Sequence, residues 1–203
     1  MKVIAVILAG GQSRRMGRDK AELSLGGETF LSRLVREYRR GFPVYVSVGQ
    51  RGRFDTCGAG ELVDIHPGMG PLAGLEAAFA YSDAEAVFLT ATDLPFGTLE
   101  LAESLLERLG DADACVIRRS DGNPEPAFGI YQRSCQDMVQ MLLAENRRAF
   151  RALLERVTVR WVEEAELAGF SLPRLLQNVN TPEAYQRAVR EEAEQRTGDR
   201  ERL

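Results

Sequence analysis

Val3-Ile4-Ala5-Val6-Ile7-Leu8-Ala9-Gly10-Gly11-Gln12-Ser13-Arg14-Arg15-Met16-Gly17-Arg18-Asp19-Lys20 joins two unlike pieces of chain. The first six residues are continuously apolar and rich in β-branched side chains. That pattern suits a strand buried on both faces, as in a parallel sheet. The piece after it carries three glycines and several cations, and can be neither a strand nor a core helix. Glycines directly behind a buried strand let backbone N–H groups converge into a concavity that suits phosphate oxygens. Arg14, Arg15 and Lys20 add positive charge. The spacing is neither that of a Walker A loop nor G-x-G-x-x-G. The plainer alternative is an exposed turn with solvated arginines.

Working outward, strand and helix alternate. Val44–Val48, Leu62–Ile65 and Ala86–Thr90 read as further strands. Leu31, Leu34, Val35 and Tyr38 recur at helical spacing, and Gly41 and Pro43 stop that helix. Pro71 opens another helix, with Leu72, Leu75 and Phe79 inward. Leu99, Ala102, Leu105 and Leu109 mark a third. Ala114–Ile117 and Ala127–Tyr131 read as strands around a turn-rich segment, 120–126. Residues 135–144 and 150–156 look helical, 158–162 strand-like, and Thr181-Pro182-Glu183 opens a last helix with Thr181 as its N-cap. The expected fold is α/β: a three-layer αβα sandwich with a Rossmann-like, mostly parallel sheet. One domain is expected over 1–190, followed by a charged tail, 191–203, that frays. Such sheets bind ligands at the carboxyl ends of their strands. The site is therefore expected just after Leu8, after Val48, near Asp64 and at Asp93.

Composition narrows the class. The chain has 203 residues, 26 Lys plus Arg, 30 Asp plus Glu and a single histidine, His66. Its 44% apolar and 28% charged residues are ordinary for a globular protein. One histidine excludes a zinc site that needs two. Cys57, Cys115 and Cys135, odd in number, do not suggest a disulfide framework and read as small core residues. The net charge of −4 speaks against nonspecific nucleic-acid binding. The longest apolar run, 3–9, is too short to span a bilayer, and the start shows no signal-peptide pattern. A cytoplasmic protein without nucleic-acid or membrane partners is expected. Only two of the cations are lysines, Lys2 and Lys20, which marks position 20 as a place where a compact charge matters.

Asp93, at the end of a strand and beside the glycine loop, is placed to hold Mg²⁺. Taken alone it is equally a turn or cap aspartate. Asp64 can accept hydrogen bonds from base N–H groups or ribose hydroxyls, or can be a plain surface aspartate. Gly68, Gly70 and Gly74 would let backbone approach a planar base. Asn178 and Asn180 alternate and so face one way in an extended segment. Arg147 and Arg148 read as a solvated helix face, and His66 as structural or peripheral.

The run Leu8-Ala9-Gly10-Gly11-x-Ser13-x-Arg15-Met16-Gly17-x-Asp19-Lys20 resembles the signature of nucleotidyltransferases that act on molybdenum cofactor. The likeness continues through Pro67-Gly68-x-Gly70-Pro71-Leu72-Ala73-Gly74, Thr92-Asp93-Leu94-Pro95, Pro126-x-Phe128-x-Ile130-Tyr131 and Asn178-Val179-Asn180-Thr181-Pro182-Glu183. Within these enzymes the sequence is similar to the molybdenum cofactor guanylyltransferases (MobA). The cytidylyl branch typically has alanine in place of Gly10. Thr92, where the family often has cysteine, and Ser47, where some relatives have asparagine, depart from the pattern.

The resemblance implies a nucleotide-diphospho-sugar-transferase-like fold and transfer of GMP from GTP to molybdenum-molybdopterin. It implies catalytic roles for Lys20, Arg15 and Asp93, with Mg²⁺ on Asp93. Nucleotide contacts are implied for Leu8, Ala9, Gly10, Gly11, Ser13 and Lys20, and for Ser47, Asp64, Gly70, Gly74 and Asp93. Asn178 and Asn180 are implied on the molybdopterin side, and the apo-molybdoenzyme or its chaperone as a partner. The rival readings are a nucleotidyltransferase using CTP or another small-molecule acceptor, and a non-catalytic GTP-binding carrier.

Overall fold

The computed structural model describes residues 1–9 and 19–200, with side chains through residue 194. The expectations for Gly10, Gly11, Ser13 and Arg15 lie outside the described residues. The chain forms β1 (Val3–Leu8), a hairpin of β2 (Ser24–Leu25) and β3 (Glu28–Thr29), α1 (Phe30–Tyr38), β4 (Val44–Val48) and β5 (Gly60–Val63). There follow α2 (Pro71–Tyr81), β6 (Ala86–Ala91), α3 (Leu99–Arg108), β7 (Ala114–Arg118) and β8 (Pro124–Gln132). The remainder comprises α4 (Gln136–Ala144), α5 (Phe150–Leu154), β9 (Val159–Glu163), α6 (Leu172–Leu175) and α7 (Pro182–Arg200).

The main sheet has seven strands in the order β5-β4-β1-β6-β8-β7-β9. β1 pairs in parallel with both β4 and β6, and β4 with β5. β8 runs antiparallel between β6 and β7, and β9 pairs parallel to β7. The strand order reverses around β1, and its carboxyl end is the crevice such sheets offer to ligands. Side chains of β1 divide by parity. Ala5 and Ile7 enter a core with α1 and α3, while Ile4 and Val6 enter a second core with α2 and α4 on the other face. That division makes three layers. A third, smaller cluster joins Leu23, Leu25 and Phe30 to Phe96, Val179 and Ala188, with Tyr185 donating to the Ser24 carbonyl at 2.6 Å. It brings the two ends of the chain together beside Lys20.

Four readings change. The third strand is Gly60–Val63, so Asp64 stands just past it. β8 already begins at Pro124, and the turn before it is shorter than expected. Residues 191–200 of the expected tail continue α7, which runs from Pro182 to Arg200. Glu192 is only 8% exposed and pairs with Arg33 at 2.9 Å, and Glu191 pairs with Arg174. Cys115 and Cys135 are core residues, but Cys57 is half-buried in a turn with φ of +52°.

Candidate active site

Leu8 aligns with Ser47 on one side and Ala91 on the other. The Ala9 N–H donates to the Ser47 carbonyl at 3.1 Å, and the Thr92 N–H to the Leu8 carbonyl at 3.1 Å. These bonds fix three strand ends side by side. The Ala9 N–H, expected at the nucleotide, is thus spent within the sheet, and its side chain is 1% exposed.

On the β6 side, Asp93 follows the strand in a tight turn. Lys20 opens a 3-10 turn capped by Asp19, whose carboxylate accepts from the Ala21 N–H at 3.4 Å and from Arg53 at 2.7 Å. The Lys20 ammonium donates to the Asn180 side-chain oxygen and lies 3.7 Å from Asp93 Oδ2. The Val179 N–H donates to the Asp93 carbonyl at 2.8 Å. Val179 is buried in the third cluster, whereas Asn178 is exposed and Asn180 half-buried. Lys20, Asp93 and Asn180, 160 positions apart at the extremes, therefore converge. Asp93 Oδ1 is buried and has no hydrogen-bond partner among the described residues. A desolvated carboxylate oxygen without a donor suits a hard divalent cation. Among the described residues no group of three or more His, Cys, Asp and Glu side chains could hold a metal.

On the β4 side, the Ser47 hydroxyl donates to Asp64 Oδ1 at 2.9 Å. Ser47 is 3% exposed. Burial lifts the Asp64 carboxyl above the ordinary aspartate range; the Ser47 hydroxyl opposes this and the Glu76 charge reinforces it. Gly70 has a φ of +73° and leads into α2 at Pro71, a conformation that favours glycine. Gly74 lies buried in α2, against Leu8 and Ser47. A Cβ there would come 2.4 Å from Leu8 Cδ2 and 2.7 Å from Ser47 Oγ, so this glycine serves the close approach of α2 to β1 and β4.

Sequence reasoning missed several partners. His66 Nδ1 lies 2.8 Å from the buried Glu76 carboxylate, so it is not unpartnered. Arg148 is on no helix face; it precedes α5 and donates to the Gly68 carbonyl at 3.3 Å. Glu125, between two prolines and paired with Arg119 at 2.9 Å, carried no signal beyond its place next to the Pro126 motif.

The model of the MobA-like NTP transferase domain matches residues 5–166. The chain belongs to this family. Asn178, Asn180 and α7 fall beyond that match. The MobA-like chain is 32% identical over 185 residues to a protein of Carboxydothermus hydrogenoformans named probable molybdenum cofactor guanylyltransferase, covering 91% of this chain and 93% of that one. A protein of the same name from Mycobacterium bovis BCG Pasteur is 37% identical over 159 residues, 74% and 78% of the two chains. The crystal structure of molybdopterin-guanine dinucleotide biosynthesis protein A from Archaeoglobus fulgidus superposes with a TM-score of 0.83 at 27% identity, covering 96% of this chain and all (100%) of that one. A CMP-2-keto-3-deoxy-manno-octonic acid synthetase shares the fold alone, with a TM-score of 0.74 at 13% identity and coverage of 96% and 100%. The chain is thus a nucleotidyltransferase by family and by fold.

Proposed function

We propose that the chain is a molybdenum cofactor guanylyltransferase. It takes GTP and molybdenum-molybdopterin, and yields the guanine dinucleotide form of the cofactor and pyrophosphate. A phosphate oxygen of the acceptor attacks the α-phosphorus of GTP. The new P–O bond forms as the bond to the β-phosphate bridging oxygen breaks, and that oxygen leaves with its electron pair on pyrophosphate. A phosphomonoester has a second pKa of about 6, so the attacking group is mostly ionised at neutral pH and needs no general base. What the protein supplies is alignment and neutralisation of charge.

The observation that carries this reading is the meeting of Lys20 with both Asp93 and Asn180. Lys20 ends the glycine-rich loop and places a compact ammonium where phosphate charge gathers. Asp93 Oδ1, unpartnered among the described residues, would hold Mg²⁺, which when bound would offset charge on the phosphate oxygens. Asp64, supported by Ser47, is the acceptor for guanine or ribose donors. Gly70 brings backbone to the base. Asn178 and Asn180 face the acceptor, and Asn180 does so next to the charge that both substrates share. Gly10, Gly11, Ser13 and Arg15 complete the phosphate cradle. The relatives' shared name supports the choice of substrates. No described helix is long and apolar enough to cross a membrane. A cytoplasmic place of action and delivery to an apo-molybdoenzyme or its chaperone are part of the proposal.

The test is incubation of the purified chain with molybdopterin carrying molybdenum, Mg²⁺ and either GTP, CTP or ATP, followed by mass analysis. The guanine dinucleotide forms from GTP, with pyrophosphate in equal amount. Equal or better turnover of CTP, or tight GTP binding without pyrophosphate release, contradicts the reading.

A further inference from the structure

Glu125 lies on β8 with its side chain only 14% exposed. Burial lifts its carboxyl above the ordinary glutamate range; Arg119 opposes that shift and the charge of Asp93 adds to it. A half-desolvated carboxylate near a second one is an expensive arrangement unless a cation stands against it. Arg119 Nη2 stands 2.9 Å from Glu125 Oε2. The same nitrogen donates to the Leu176 carbonyl at 2.6 Å. Arg119 itself is held in the turn between β7 and β8, where its N–H donates to the Asn123 carbonyl at 2.9 Å and its carbonyl accepts from Gly122 at 2.8 Å.

Leu176 lies just past the end of α6, where carbonyls lack helical partners. Three residues later the Val179 N–H reaches the Asp93 carbonyl, and Asn180 receives the Lys20 ammonium. The short run 176–180 is therefore tied at its front to Asp93 and Lys20, and at its back to Arg119. The front ties belong to the reacting groups. The back tie belongs to a pair of residues with no other evident task.

We propose that Arg119 and Glu125 form a positioning pair for the acceptor half of the site. Glu125 aims the guanidinium, and the guanidinium, through the Leu176 carbonyl, sets where Asn178 and Asn180 stand before the acceptor phosphate. The pair touches neither substrate. The inference rests on the reading of Asn178 and Asn180 as acceptor-side residues. A pair that merely braced the β7–β8 turn would alter melting and leave the kinetics of both substrates alone.

Glu125→Gln, Arg119→Ala and Arg119→Lys separate these cases. Kinetic constants for GTP and for molybdopterin carrying molybdenum are measured, with amide exchange of Val179 and thermal melting alongside. Misplacing a group by about 1 Å can cost on the order of 10²-fold, so Arg119→Ala is expected to raise the acceptor KM by tenfold to a hundredfold, roughly. The GTP KM stays within about twofold, and Val179 exchanges faster. Glu125→Gln follows with a smaller rise. Arg119→Lys, which keeps the charge but not the planar fork, recovers part of the loss and carries the test if the other two fail to fold. Acceptor and GTP constants that move together, or that both stay flat while melting falls, overturn the pair. A wild-type chain that makes no dinucleotide overturns the proposed function, and the acceptor role with it; product from the wild type with a flat acceptor KM in the variants overturns the pair alone.

Discussion

On the β4 side of Leu8 the site residues come from one run of chain and are held by packing. Ser47 and Asp64 sit at the ends of paired strands, and Gly74 lets α2 press against Leu8 and Ser47. On the β6 side they come from positions 20, 93 and 178–180 and are joined to one another by single polar contacts, with Val179 packed in the third cluster. The first flank is rigid by virtue of close-packed neighbours. The second is an assembly whose parts meet only when the chain is folded. In the proposed reading, the residues for the base and ribose come with the sheet, whereas those for the phosphates and the acceptor are brought together from distant segments.

The largest effect expected is on the stitched flank. Lys20→Ala and Asp93→Ala each lower kcat by about 10³-fold or more, since charge contacts in phosphoryl transfer can be worth that much. Both variants keep the fold, as seen by an unchanged circular dichroism spectrum. Lys20→Arg keeps the charge but places a broad fork where a point charge fits, and also loses most activity. Full turnover by Asp93→Ala would move the chemistry away from this flank.

A smaller effect tests whether packing governs the other flank. Gly74→Ala drives a methyl into Leu8 and Ser47, and overpacking of this kind typically costs about 1–3 kcal/mol. Denaturant unfolding reads that loss. The GTP KM rises while the acceptor KM does not. Equal rises in both would dissolve the distinction between the flanks.

The smallest effect is a pH dependence. Burial holds the Asp64 proton to a higher pH in the folded chain than in the unfolded one. The associated stability is therefore full below the unfolded value and is lost as pH rises through the raised folded value. Nucleotide binding, which uses the carboxylate, runs the other way. GTP affinity measured by calorimetry falls as pH drops through the raised value, and Asp64→Asn loses this dependence. A wild-type affinity that stays flat through that range would remove Asp64 from the nucleotide's contacts.

The same contrast explains what the sequence made legible. β1, β4, β6 and the helix at Pro71 announce themselves through apolar runs and turn residues, and the strand-end rule led to Asp64 and Asp93. Strands of two residues, such as β2 and β3, carry no period to read. The course of α7 past 191 depends on Arg33 and Arg174 meeting Glu192 and Glu191, contacts that no local pattern encodes. For the same reason Lys20 and Asn180 could each be named from a motif, but their contact across the chain could not. The close approach of Gly74 to Leu8 and Ser47 likewise shows only in the fold.

That contact ties together the distant segments of the β6-side flank. A double-mutant cycle of Lys20→Ala and Asn180→Ala, read as kcat/KM for the acceptor, tests it most directly. Residues in contact typically couple by about 0.5–3 kcal/mol, whereas independent ones add within about 0.5 kcal/mol. The predicted result is a double variant that loses clearly less than the two single losses combined, by about 1 kcal/mol or more. Losses that simply add would show that Lys20 and Asn180 act apart, and would contradict a β6-side flank assembled from distant segments.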